Sequence, residues 1–283
     1  MAEAAEADAV VWTAPGDPEG LRRLLAASPA RWVQLPFAGI ESFVAAGAID
    51  PARTFTCAKG AYGHSTGEHA LALILACARR LDAHVPATSW RTEGALEPPE
   101  RRVAGSTVLL VGTGGSGRAR AAMLEPLRAR ILAVNRSGRP LAGAERTEPV
   151  TRLDDLLGEA HFVVLAAALT PATRHLFSAP AFSRMRDDAW LVNVARGALV
   201  DTEALVRALD DRAIAGAALD VTDPEPLADG HPLWDRPNAI ITPHVANTWA
   251  MGLAELSLLV RRNVERFRTG AELEGLVDPE LGY

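Results

Sequence analysis

Arg196, Glu225 and His244 are the residues of this sequence whose types and contexts could together carry a reaction. Each sits in a turn-like setting after an apolar run: Asn193-Val194-Ala195-Arg196-Gly197, Asp223-Pro224-Glu225-Pro226 and Thr242-Pro243-His244-Val245-Ala246. A guanidinium offers a planar fork that matches a carboxylate or an α-keto acid. A histidine moves protons near neutral pH, and a carboxylate partner orients its ring. Singly, each has an ordinary alternative: a structural ion pair for Arg196, a solvated turn carboxylate for Glu225, a half-buried histidine for His244. Downstream of a nucleotide loop, the three read as an anion clamp, an acid/base group and the partner that holds it.

That loop is Gly112-Thr113-Gly114-Gly115-Ser116-Gly117, a GxGxxG pattern carrying an extra glycine. It follows the apolar run Val108–Val111 and precedes a helix expected over Arg118–Arg130. The first glycine permits the tight turn, the second lets backbone approach pyrophosphate, and the third lets helix pack on strand. The phosphates are then expected at the helix N-terminus, where free N–H groups and the dipole favour anions. The next strand ends at Asn135-Arg136-Ser137. An NAD site places Asp or Glu here to bond the ribose 2′-hydroxyl. Asn135 brings no charge to repel a 2′-phosphate, while Arg136 and Ser137 can bind one. NADP is therefore expected as the preferred cofactor, with NAD as the alternative.

Composition narrows the rest. The chain has 283 residues, 48% hydrophobic and 23% charged, which suits a globular protein with a sizeable core. A net charge of −6 argues against a nucleic-acid partner. Cys57 and Cys77 form no CxxC pair, so no metal site and no disulfide framework is expected. The N-terminal stretch lacks a basic segment and a long apolar run, so no secretory signal or membrane span is read. A cytoplasmic location is the default expectation.

These residues need elements to hold them. Short apolar runs at Val10–Trp12, Trp32–Leu35 and Phe55–Cys57 read as buried strands, with a helix over Leu21–Ala27. A long helix is predicted over Thr66–Leu81, followed by an irregular crossing segment over Val85–Arg102. Strand and helix then alternate: Thr107–Val111, Ser116–Ala129, Arg130–Val134, Leu153–Leu157, His161–Ala166, Ala189–Asn193, Thr202–Ala208, Ala215–Leu219 and Ala239–Ile241. Such βα repetition implies an α/β fold with parallel sheets covered on both faces. Ala254–Phe267 reads as a final amphipathic helix.

The segments around Arg196, Glu225 and His244, together with Leu169-Thr170-Pro171-Ala172-Thr173 and His231-Pro232-Leu233-Trp234, resemble the D-isomer-specific 2-hydroxyacid dehydrogenases. The likeness extends from about Ala7 onward in family order. The Asn-Arg-Ser turn and the ending Val277-Asp278 … Gly282-Tyr283 look most like the glyoxylate/hydroxypyruvate reductase branch. The resemblance implies two doubly wound domains. A Rossmann nucleotide domain (66–246) is inserted into a smaller flavodoxin-like substrate domain (1–65 and 247–283). It implies a homodimer acting on a small 2-keto or 2-hydroxy acid.

It also implies roles. Arg196 binds the substrate carboxylate, with backbone N–H donors from the Phe37-Ala38-Gly39-Ile40 loop. His244 gives a proton to the carbonyl oxygen, and Glu225 holds its imidazole. Asp220 bonds the nicotinamide carboxamide, and Thr170, Thr173 and Ala195 line the cofactor. An NAD(H)-sensing protein like the corepressors of the same fold is the rival to a 2-ketoacid reductase.

The sequence departs from the family pattern in places. Ala9-Val10-Val11-Trp12 looks like the family's second strand, so the substrate domain is expected to lack its first strand–helix unit, or its start to be assigned late. Ser116 replaces an isoleucine and can bond a phosphate oxygen. Phe37, Tyr62 and Trp249 form either an aromatic wall selecting a bulkier 2-keto acid or ordinary packing. His64 and His69 read as structural.

Overall fold

The structure is a computed structural model and describes residues 6–14, 16–90 and 98–279. The crossing segment expected over Val85–Arg102 falls partly outside these residues, and Gly282-Tyr283 wholly so. The chain forms two compact units, Met1–Tyr62 with Thr248–Tyr283, and Gly63–Asn247.

In the smaller unit, β1 (Ala9–Val11), β2 (Trp32–Gln34) and β3 (Thr54–Thr56) form a parallel sheet in the order β1-β2-β3. Helix α1 (Pro18–Ala26) starts at Asp17, whose carboxylate accepts from the Gly20 amide at 2.7 Å, with proline at its first position. Both features suit a helix start, where N–H groups lack partners and proline loses nothing. Helix α2 (Glu41–Ala45) follows β2. Leu21, Leu25, Val33, Phe43 and Phe55 close the core between these helices and the sheet.

The larger unit opens with α3 (Gly63–Ala78) and α4 (Leu81–His84). Helix α3 starts three residues before the expected Thr66, because Gly63 lets it approach the Gly115 backbone; a Cβ there would stand 3.1 Å from the Gly115 carbonyl oxygen. It ends at Ala78, before Arg80 turns left-handed with φ 52°. The sheet comprises β4 (Thr107–Val111), β5 (Arg130–Asn135), β6 (Arg146–Pro149), β7 (Phe162–Leu165), β8 (Trp190–Asn193), β9 (Gly216–Leu219) and β10 (Ala239–Ile241). Its helices are α5 (Gly115–Leu124), α6 (Leu153–Leu157), α7 (Ala179–Phe182) and α8 (Thr202–Asp210). Helix α5 stops at Leu124, short of the expected Ala129, where Pro126 tightens the next turn into a 3-10 helix.

All seven strands are parallel, in the order β10-β9-β8-β7-β4-β5-β6. Strand order reverses between β4 and β7, and ligands of open α/β sheets bind outside the carboxyl ends of the strands at such a reversal. Strands β4, β7, β8 and β9 are buried throughout, as expected where helices cover both faces. Strand β6 has no counterpart in the sequence reading. It is a half-buried edge strand that ends in proline, and so carries neither an apolar run nor an alternation.

The chain returns to the smaller unit as α9 (Trp249–Thr269), capped by the Thr248 hydroxyl and ended by Gly270 at φ 71°. A buried polar network ties it to the sheet: Asn263 donates to Gln34 Oε1 at 3.0 Å, as does the Thr56 hydroxyl at 2.8 Å, and Trp32 donates to Thr56 Oγ1 at 2.8 Å. Among the described residues no helix is long and apolar enough to cross a membrane.

Candidate active site

The glycine loop after β4 has the steric form of a phosphate cradle. Gly112 has φ 107°, and a Cβ on it would come within 2.6 Å of the Ala166–Ala167 backbone. A Cβ on Gly117 would stand 2.3 Å from the Gly112 carbonyl oxygen, so α5 rests directly on the turn. Around Gly114 the space is open, leaving its backbone approachable. Gly115 and Ser116 are the first two residues of α5, where N–H groups have no partner within the helix. These features fit the pyrophosphate of a dinucleotide.

At the end of β5, the Asn135 side chain is committed to its own turn. Its Oδ1 accepts from the amides of Ser137 and Arg139, both at 3.1 Å. Its Nδ2 donates to the Arg139 carbonyl at 2.7 Å and to Thr113 Oγ1 at 2.9 Å, which fastens the turn to the glycine loop. Arg136, Ser137 and Arg139 lie exposed on this turn, which holds no acidic residue. Gly138, at φ 71° with the Pro149 ring 3.1 Å from a would-be Cβ, completes it. After β7, the Thr173 hydroxyl donates to the Ala168 carbonyl at 2.7 Å and accepts from the Thr170 amide at 2.8 Å, stiffening the Thr170–Thr173 loop.

Arg196 is set by Asn193 at the end of β8. The buried Asn193 amide accepts from Ala195 N at 3.0 Å and donates to the Arg196 carbonyl at 2.9 Å. Asn193 has no role in the sequence pattern above, although an asparagine bonding the amide two residues on is a known turn signal. A Cβ on Gly197 would lie 1.8 Å from the Thr222 carbonyl oxygen, so only glycine lets the Arg196 turn meet the loop after β9. Arg196 is half-buried, and its Nη1 donates to the Ala195 carbonyl at 2.6 Å.

The histidine turn hangs on Asp220. The backbone N–H of His244 donates to the Asp220 carbonyl at 2.8 Å, and those of Val245 and Ala246 donate to its carboxylate at 2.9 Å each. Thr242 Oγ1 donates to the same carboxylate at 2.6 Å. The side chain is 1% exposed, and despite that burial His69, Thr242 and the two amides hold its pKa below the usual carboxylate range. Asp220 therefore builds the turn, a role that the resemblance did not supply. His244 itself has φ 53°, an unusual backbone for a non-glycine residue. Its Nδ1 meets Glu225 Oε1 at 2.5 Å, both side chains being roughly half exposed.

The loop Phe37-Ala38-Gly39-Ile40 lies in the smaller unit between β2 and α2. Its Phe37 carbonyl accepts from Ala58 N at 3.0 Å, while the amides of Ala38, Gly39 and Ile40 donate no hydrogen bond among the described residues. Phe37 and Trp249, 39% and 46% exposed, meet edge to face with centroids 6.2 Å apart. Tyr62 does not join them in a wall. It is buried against Leu256 and Leu259, its hydroxyl donating to the Pro36 carbonyl at 2.7 Å. Among the described residues no cluster of His, Cys, Asp and Glu is arranged to hold a metal ion.

Residues 71–246 match the family model described as the NAD-binding domain of D-isomer-specific 2-hydroxyacid dehydrogenases. The chain belongs to that family. It is 39% identical over 254 residues, 89% of its length, to an uncharacterised protein of Corynebacterium melassecola, of which it covers 84%. It is 36% identical over 225 residues to the glyoxylate reductase of Thermococcus gammatolerans, spanning 77% of this chain and 67% of that one. Among solved structures, the NADPH-dependent glyoxylate/hydroxypyruvate reductase of Sinorhizobium meliloti, in complex with NADP and sulfate, superposes with a TM-score of 0.83 at 26% identity. That match covers 98% of this chain and 86% of that one. The protein is an NAD(P)-dependent 2-hydroxyacid dehydrogenase of the glyoxylate reductase-like branch.

Proposed function

We propose that the protein reduces a small 2-keto acid to the D-2-hydroxy acid, with NADPH preferred and His244 as proton donor. The observation that carries this reading is the His244–Glu225 hydrogen bond at a strand's carboxyl end, in the same unit as the glycine cradle and Arg196. A bound nicotinamide supplies the hydride. Arg196 receives the substrate carboxylate, and its positive charge polarises the adjacent C2 carbonyl. Glu225 holds Nδ1, so that Nε2 of the protonated imidazole delivers its proton to the carbonyl oxygen. One hydride at carbon and one proton at oxygen balance the reduction.

The absence of an acidic residue from the Asn135–Arg139 turn, and the presence there of Arg136 and Ser137, supports the NADPH preference. Gly112, Gly114, Gly115, Ser116 and Gly117 would hold the pyrophosphate, with Thr170, Thr173 and Ala195 along the cofactor. A homodimer is the proposed assembly. The test is turnover of glyoxylate, hydroxypyruvate and phenylpyruvate with each cofactor, followed by loss of reduced-nicotinamide absorbance. Turnover with NADPH is expected. Binding of the cofactor without turnover of any acid overturns the reading in favour of a nicotinamide sensor.

A further inference from the structure

His69, on α3 of the larger unit, reaches the histidine turn. Its Nε2 lies 3.0 Å from Thr242 Oγ1 and 3.4 Å from Asp220 Oδ1. The threonine hydroxyl can donate only once, and it donates to Asp220 at 2.6 Å. Thr242 Oγ1 must then accept from His69, whose Nε2 therefore carries a proton. The result is a directed chain: His69 Nε2–H to Thr242 Oγ1, and Thr242 Oγ1–H to Asp220 Oδ1. Asp220 in turn receives the Val245 and Ala246 amides on its carboxylate and the His244 amide on its carbonyl. A second tie runs from the same helix: Ser65 Oγ donates to Asn247 Oδ1 at 2.7 Å, just past that turn.

We propose that His69 is a positioning residue for His244, acting through Thr242 and Asp220. The inference rests on the reading of His244 as proton donor. The left-handed backbone of His244 explains why such a tie is needed. A non-glycine residue at φ 53° persists only where surrounding bonds over-determine it. Three successive amides bonded to one aspartate do so, provided the aspartate keeps its own orientation. Its backbone is fixed by β9, but its side chain is fixed only by what donates to it. One hydroxyl donor among these is itself oriented from α3 by His69. Loss of the imidazole frees Thr242 to rotate, and the carboxylate that aligns Val245 and Ala246 loosens with it. The cost falls on proton delivery, which is sensitive to displacements of about 1 Å. The glycine cradle belongs to other loops and is untouched.

The experiment compares wild type with His69→Leu, His69→Gln, Thr242→Val, Thr242→Ser and His244→Ala. It measures kcat and KM for the best 2-keto acid, NADPH affinity by nucleotide fluorescence, and melting temperature. His69→Leu and Thr242→Val are each expected to lower kcat by about tenfold or more, a loss read as transition-state alignment while NADPH affinity stays within about threefold. His69→Gln, which can still donate an N–H from that position, and Thr242→Ser, which keeps the hydroxyl, are expected to recover most of kcat. A folded His69→Leu enzyme with kcat within about twofold of wild type overturns the inference. Equal losses for the glutamine and leucine variants also overturn it, since they would show a general packing role. If His69→Leu does not fold, Thr242→Val decides in the same way. Wild-type turnover by His244→Ala would remove the proton-donor reading itself, an outcome separate from the His69 result.

Discussion

Glu225 Oε1 stands 2.5 Å from Nδ1 of His244, so the carboxylate takes one edge of the imidazole and leaves Nε2 as the edge that can serve a substrate. His244→Ala is expected to lower kcat by roughly a hundredfold to ten-thousandfold, the usual contribution of general acid catalysis. NADPH affinity should be retained, because the cradle lies on another loop. Glu225→Gln keeps a hydrogen-bond acceptor but removes the charge that compensates the imidazolium. It should fall between wild type and His244→Ala in kcat at every pH. Steady-state kinetics with fluorescence titration checks both; a Glu225→Gln enzyme below His244→Ala would contradict the assigned order of roles.

Asn135 should govern cofactor choice although its amide is spent on the turn. Asn135→Asp keeps the acceptor for the Ser137 and Arg139 amides, loses donation to Thr113 and Arg139, and places a negative charge at the strand end. The ratio of kcat/KM for NADPH over NADH is expected to fall by about tenfold or more, because a carboxylate there bonds a ribose 2′-hydroxyl and repels a 2′-phosphate. Arg136→Ala should lower the same ratio without improving NADH. An unchanged ratio in both variants would mean that this turn does not meet the 2′ position.

His161 ties stability to pH. Its Nδ1 accepts the Thr107 amide at 3.0 Å, which requires that nitrogen to be unprotonated. Burial, with Arg101 and Arg186 nearby, pushes its pKa below the ordinary 6.5, while Asp188 opposes the shift. The folded state thus binds this proton less readily than the unfolded state. The contribution is complete above the unfolded value and is lost as pH falls below it toward the lower folded value. Denaturant midpoints of wild type should therefore drop more steeply with acidification than those of His161→Asn, whose side-chain oxygen can still accept the amide. Parallel curves would exclude His161 as a source of acid lability.

Arg120 is the least satisfied charge of the described residues. It is 2% exposed, Nε and Nη1 have no partner, and Nη2 reaches the Thr66 carbonyl only at 3.5 Å. Burial pulls its pKa down to about 10. A buried guanidinium so poorly paired costs more than an apolar side chain of similar length. Arg120→Met is expected to raise stability by about 1 kcal/mol or more. Thermal melting checks the sign, and a lower melting temperature would show that Arg120 has a partner of real value.

Much of the architecture was legible from local pattern. The strand–loop–helix at Val108–Gly117 could be read because its requirements are steric and hydrophobic, and they sit within about ten residues. The turns carrying Arg196, Glu225 and His244 were legible for the same reason. Strand β6 was not, because Arg146–Pro149 is a half-buried edge whose side chains show no period. The burial of Tyr62 was not legible, because an aromatic residue in a loop says nothing about which face covers it. Its burial against Leu256 and Leu259 comes from a helix almost two hundred positions away.

The sequence by itself determined the strand–helix alternation, the glycine cradle and the turns that carry Arg196, Glu225 and His244, because each depends on neighbouring residues and their backbone preferences. Only the tertiary structure decided where their hydrogen bonds go. His69 and Thr242 are 173 positions apart, and they meet because α3 packs against the carboxyl end of the β9–β10 pair. Asp220 is the anchor of the histidine turn because donors from Thr242, His244, Val245 and Ala246 converge on it. Asn135 likewise becomes the staple of its own turn. Hydrogen-bonding capacity is a property of a side chain and can be read from its letter. How that capacity is used depends on which loops the strand order brings together.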